Sequence, residues 1–123
     1  MGRGKVLIID DEPDIVETLT FMLEARNYDV IAAFDGAEGI VKVKTEKPDV
    51  ALLDIMMPGM DGYTVCNKLK SNKDTKSLPI IMLTAKGENE AVLKAHKSGA
   101  DDYIVKPFSL PTLVTKLNKL LAK

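Results

Sequence analysis

The sequence predicts an α/β fold: a five-stranded parallel sheet covered on both faces by five helices. Three observations carry this. Short apolar runs alternate along the whole chain with amphipathic stretches of helical length. The run Val50-Ala51-Leu52-Leu53-Asp54, bounded by Pro48 and by Pro58-Gly59, is apolar up to its last residue, as expected of a strand buried on both faces. And several runs end abruptly in a polar group: Ile9 before Asp10-Asp11, Leu53 before Asp54, Leu83 before Thr84, Val105 before Lys106. In open parallel sheets, ligands bind outside the carboxyl ends of the strands.

Lys5 to Ile9 is the first strand. Pro13 suits the first turn of a helix, and Asp14 and Glu17 suit its dipole. Val16, Leu19 and Leu23 repeat at helical spacing, and Asn27 is a left-handed stop. Asp29 to Phe34 is the second strand. Asp35 and Glu38 resemble a capping box for a second helix whose inner face is Ala37, Ile40, Val41 and Lys44; Pro48 ends it. The central strand follows. A third helix from about Asp61 to Ser71 presents Tyr63, Cys66 and Leu69 inward. Pro79 opens the fourth strand, through Leu83. A fourth helix from about Glu88 to Ser98, stopped by Gly99, has a thin apolar face of Ala91, Val92 and Ala95 and is expected to be the least firmly packed. Asp101 to Val105 is a short fifth strand. Ser109 caps a last helix that turns Leu113, Leu117, Leu120 and Leu121 to the core.

With 123 residues, 46% of them apolar, the chain is expected to form one domain over residues 1–123. A net charge of −1 argues against a general nucleic-acid or membrane surface. No apolar run approaches a membrane span, and no signal-type segment opens the chain. The single cysteine, Cys66, cannot form an intrachain disulfide, so the expected location is the cytoplasm. Cys66 is read as a core residue and His96 as a surface residue. No glycine-rich phosphate loop follows the first strand. The lysines after Asp102 read as a solvated helix face.

Asp10, Asp11 and Asp54 share the expected rim. Two carboxylates about 4 Å apart repel by about 4 kcal/mol at an effective dielectric near 20, so three need a cation. Hard divalent cations take oxygen ligands. Taken singly, Asp10-Asp11 would only end a strand and cap a helix, Thr84 would equally cap a helix, and Lys106 would be one surface lysine among many. On one rim they become a metal site with a hydroxyl and an ammonium beside it.

The joint pattern Leu7-Ile8-Ile9-Asp10-Asp11-Glu12, Leu53-Asp54, Met57-Pro58-Gly59-Met60-Asp61-Gly62, Leu83-Thr84-Ala85, Gly99-Ala100-Asp101-Asp102-Tyr103 and Lys106-Pro107-Phe108 resembles the receiver domain of two-component response regulators. The resemblance runs from about Lys5 to Leu121. It implies a flavodoxin-like, doubly wound sheet in the order 2-1-3-4-5. It implies that Asp54 accepts a phosphoryl group from a sensor histidine kinase or phosphotransfer protein. Mg²⁺ would be held by Asp10 through water, by Asp11 and Asp54, and by the backbone carbonyl of Met56. Lys106 and Thr84 would bind phosphoryl oxygens, and Thr84 and Tyr103 would switch the face that a downstream protein, a fused effector or a second copy reads. It implies a cis Lys106-Pro107 bond. Met56 and Lys86 occupy positions that tune phosphoryl lifetime in the family. The expected chemistry is restricted to the domain's own phosphorylation and dephosphorylation. A phosphorylation-independent interaction module would lack part of this set, and a phosphohydrolase would need a substrate pocket and a further acid or base.

Overall fold

The computed structural model describes residues 3–84, 94 and 97–121. Five parallel strands form one sheet in the order β2-β1-β3-β4-β5: β1 Lys5–Ile9, β2 Asp29–Ala33, β3 Val50–Asp54, β4 Ile80–Thr84 and β5 Asp102–Val105. β3 and β4 are buried at every position, while the edge strands β2 and β5 are partly exposed. That gradient explains why the central strands read as unbroken apolar runs.

Alternation along the strands makes two cores. Leu7, Ile9, Ala51, Leu53, Ile80 and Met82 pack against Val43, Val65, Cys66 and Leu69, from the helices α2 Gly36–Glu46 and α3 Gly62–Ser71. Val6, Ile8, Val50, Leu52, Ile81 and Leu83 pack on the other face. Their partners there are Val16, Leu19 and Leu23 of α1 Pro13–Glu24, and Leu113 and Leu117 of the last helix, α4 Leu110–Leu121.

The expectation of five helices is corrected: among the described residues there are four. The expected helix between β4 and β5 falls almost wholly outside the described residues, as do Lys86, Ala91, Val92, Ala95 and His96. It had the weakest apolar pattern of the five. Gly99 does take the left-handed conformation expected of a helix stop, with φ 94.

The ends of α1, α2 and α4 follow local chemistry. Asn27, φ 71, closes α1: the Tyr28 N–H reaches the Leu23 carbonyl and the Asn27 N–H the Glu24 carbonyl, with Leu23 and Tyr28 both buried. The Asp35 carboxylate accepts from the Glu38 N–H at 2.8 Å, and the Glu38 carboxylate accepts in return from the Phe34 N–H at 2.8 Å. The Ser109 hydroxyl accepts from the Thr112 N–H at 3.2 Å.

The inner face of α2 differs from expectation. Ile40 packs against the core as expected, but Gly36, Gly39 and Val43 are the buried residues, while Ala37, Val41 and Lys44 are exposed. A Cβ at Gly39 would lie 2.7 Å from the Ile9 side chain, and one at Gly36 would lie 2.6 Å from Val65. The helix is therefore seated through its glycines, which let its backbone approach the sheet.

Candidate functional site: an acidic rim at the strand ends

Register builds the site. Ile9 pairs with Leu53, so the next residues, Asp10 and Asp54, emerge side by side at the carboxyl ends of neighbouring strands. Asp54 in turn pairs with Leu83, the residue before Thr84, and Thr84 pairs with Val105, the residue before Lys106. Carboxylates, hydroxyl and ammonium from four strands thus reach one rim.

Asp10 is 0% exposed, Asp54 4% and Thr84 5%. The Lys106 ammonium lies 3.2 Å from Asp54 Oδ1 and 3.4 Å from Asp10 Oδ2. The other oxygen of Asp10 accepts from the Glu12 N–H at 3.0 Å. The Lys106 N–H donates to the Thr84 carbonyl at 2.7 Å, which fixes the base of the lysine, and the Lys106-Pro107 peptide is cis. Burial pushes the Asp54 carboxyl above its ordinary value, and repulsion from Asp10 adds to this, while Lys106 pulls it back. Burial alone would lower Lys106, but attraction to Asp54 and Asp10 outweighs it and holds the ammonium above its ordinary value.

Asp10, Asp11, Glu12 and Asp54 each offer a carboxylate oxygen, all within 4.8 Å of one another. This all-oxygen donor set suits a hard divalent cation, and an uncompensated cluster of this density is costly. Glu12 joins the cluster although the sequence singled out only the aspartates; its place beside them in the chain was the available signal. The Met56 side chain is 75% exposed, between buried Ile55 and Met57. Gly59, φ 78, turns the chain beyond the rim, and the Asp61 carboxylate starts α3 by accepting from the Thr64 N–H at 2.8 Å.

Tyr103 pairs with Met82 and packs, half-buried, on the α2/α3 face; by alternation Thr84 belongs to that same face. The Lys116 ammonium lies 5.6 Å from the centre of its ring and bonds Asp102 at 3.0 and 3.1 Å.

The profile described as response regulator receiver domain matches residues 6–118. This chain belongs to that family. It is 44% identical over 119 residues to the alkaline phosphatase synthesis transcriptional regulatory protein PhoP of Bacillus subtilis, covering 97% of this chain and 49% of that protein. A crystal structure of a protein described as a response regulator from Chloroflexus aurantiacus superposes with a TM-score of 0.93 at 37% identity, covering 98% of both chains. The BeF3-activated receiver domain of Klebsiella pneumoniae RstA gives 0.89 at 30% identity, covering 97% of this chain and 99% of that one. The chain spans about half the length of the curated relatives it matches. Family and neighbours make it a receiver of two-component signalling, as its motifs imply. Among the described residues no helix is long and apolar enough to cross a membrane.

Proposed function

We propose that residues 1–123 act as one receiver unit in which Asp54 accepts a phosphoryl group from the phosphohistidine of a sensor kinase or phosphotransfer protein. The observation that carries this is the buried Asp54 carboxylate at a strand end, beside Asp10 and bonded to the Lys106 ammonium that reaches both. An Asp54 oxygen attacks phosphorus, an acyl–phosphate bond forms, the phosphorus–nitrogen bond breaks, and the imidazole leaves with a proton. Such transfer is mostly positioning and charge neutralisation. Lys106 stands where it can exchange its bonds to Asp54 for bonds to a phosphoryl oxygen. Asp10, Asp11, Asp54 and the Met56 carbonyl would hold Mg²⁺, which neutralises charge on the phosphoryl group when bound. Hydrolysis of the acyl phosphate is the only other reaction assigned to it.

A 570 Å³ groove lined by Ile15, Leu19, Met22, Pro107 and Phe108 opens beside Lys106 and suits the apolar surface of a protein donor. Thr84 and Tyr103, on one face, are the switch; a downstream protein, a fused effector or a second copy would read it, in the cytoplasm. The domain itself is read as contacting neither nucleic acid nor membrane.

The test is intact-protein mass spectrometry after incubation with acetyl phosphate and Mg²⁺. One added phosphoryl group is expected, lost in Asp54→Asn and on chelation. No adduct, together with no response to beryllofluoride, would overturn the assignment.

A further inference from the structure

Two aromatic side chains lie exposed on the surface next to the rim, outside the Asp54–Lys106 cluster. Phe21, in the last turn of α1, is 76% exposed, and Phe34, just past β2, is 44% exposed. Both line one 840 Å³ groove, together with Asp14, Glu17 and Glu24. Among the described residues, no Lys or Arg lines it. Glu17, Phe21 and Glu24 form a stripe along α1. At about 100° per residue it lies some 200° round the helix from the Ile15, Leu19 and Met22 stripe beside Lys106. The two grooves therefore flank α1 from different sides and meet at Asp14 and Thr18, which line both.

Both aromatics stand on fixed backbone. Phe21 is helical, and the Phe34 N–H is held by the Glu38 carboxylate. Ordering them on binding costs little, as befits aromatic anchors. The acidic rim decides the occupant. Nucleic acid and anionic lipid would be repelled. A groove running along a helix, apolar in its anchors and acidic at its edges, complements a helix with an apolar face and a cationic flank.

We propose that this face, which adjoins the Asp54 rim without including Asp54 or Lys106, docks a cationic amphipathic helix of a partner protein, anchored on Phe21 and Phe34 and steered by Asp14, Glu17 and Glu24. The test uses the full chain and a synthetic helix-forming peptide about 20 residues long, with leucines on one face and lysines on the other. A peptide of the same composition with leucines scattered round the helix is the control. Calorimetry is expected to give saturable one-to-one binding, at least about tenfold weaker for the control and for Phe21→Ser, because a buried anchor is worth about 1.4 kcal/mol or more. Raising salt from about 0.05 to about 0.5 M should weaken it further. Amide shifts in NMR should centre on Phe21 and Phe34. Acetyl phosphate labelling of Phe21→Ser should match wild type, which separates this inference from the phosphoacceptor reading. Equal binding of the scattered peptide, shifts centred on the Asp54 rim or the Phe108 groove, or self-association of the chain that Phe21→Ser abolishes would each overturn it.

Discussion

The Cα of Gly62, the first residue of α3, packs against the main chain that follows Asp54. A Cβ there would overlap the Asp54 carbonyl oxygen and stand 2.8 Å from the Ile55 Cα. The Gly62 N–H also donates to the Ile55 carbonyl at 2.9 Å. Helix α3 and the strand that carries Asp54 are thus locked backbone to backbone, where neither can yield by rotating a side chain. Gly62→Ala is expected to cost about 3 kcal/mol, the upper end for overpacking, and to slow labelling by acetyl phosphate. Thermal melts and mass spectrometry check both; a folded variant labelling at the wild-type rate would refute the positioning role.

Asp54→Asn should fold and melt higher than wild type in metal-free buffer. The folded protein holds the Asp54 carboxyl above its ordinary value through burial and Asp10. Above that ordinary value the unfolded chain gives up the proton more readily, so ionisation of Asp54 works against folding as pH rises. The gain in Asn should therefore be present at pH 7 and fade in acid, where Asp54 is protonated in both states. Melting curves across pH test this, and a variant that melts lower at neutral pH would contradict it.

Lys106→Met should act in the opposite direction. It leaves Asp10 and Asp54 without the ammonium that bonds both. A loss of about 1.5–3 kcal/mol is expected for hydrogen bonds to charged groups. The raised Lys106 value means this contribution is fully present at neutral pH and is lost only as strong alkali deprotonates the folded state. Adding Asp54→Asn should recover part of the loss, since the two sites are coupled. Denaturant titration of the four proteins measures the coupling; strict additivity would argue that the contact contributes nothing.

Millimolar Mg²⁺ should raise the melting temperature of the wild type. A ligand that binds only the folded state at about 100 times its dissociation constant adds about 2.7 kcal/mol. Asp11→Ala should reduce the rise, because it removes one of the clustered carboxylates. An unchanged wild-type melt would count against the site.

Cys66 should resist alkylation in the native protein. Its thiol is fully buried, and burial pushes it above the ordinary value, so thiolate is scarce and inaccessible. Iodoacetamide labelling at pH 8 should become fast only in denaturant. Fast native labelling would mean that α3 opens locally.

The sheet was legible because its inner strands are apolar at almost every position and their ends are marked by charge or proline. The helix ends at Asp35, Asn27 and Ser109 were legible because capping is local chemistry. The face of α2 was legible only in part: Ile40 packs on the core as read, but periodicity counts apolar side chains and much of the close contact is made by Gly36 and Gly39, which have none. The helix count rested on three small or β-branched residues. That Asp10, Asp11, Asp54 and Lys106 would gather at one rim was legible from where the strands end, but their bonds were not. Lys106 lies 96 residues from Asp10 and 52 from Asp54, and only the strand order brings them within reach.

The glycine seat of α2 has a consequence for how the protein tolerates change. A map of every single substitution would read this helix inside out. Val41, with its branched side chain in solvent, should accept most replacements. Gly36 and Gly39 should accept almost none, since any side chain would wedge α2 away from Val65 and from Ile9, whose neighbour is Asp10. Variation that looks harmless by hydropathy would then reach the acidic rim through the strand that carries it.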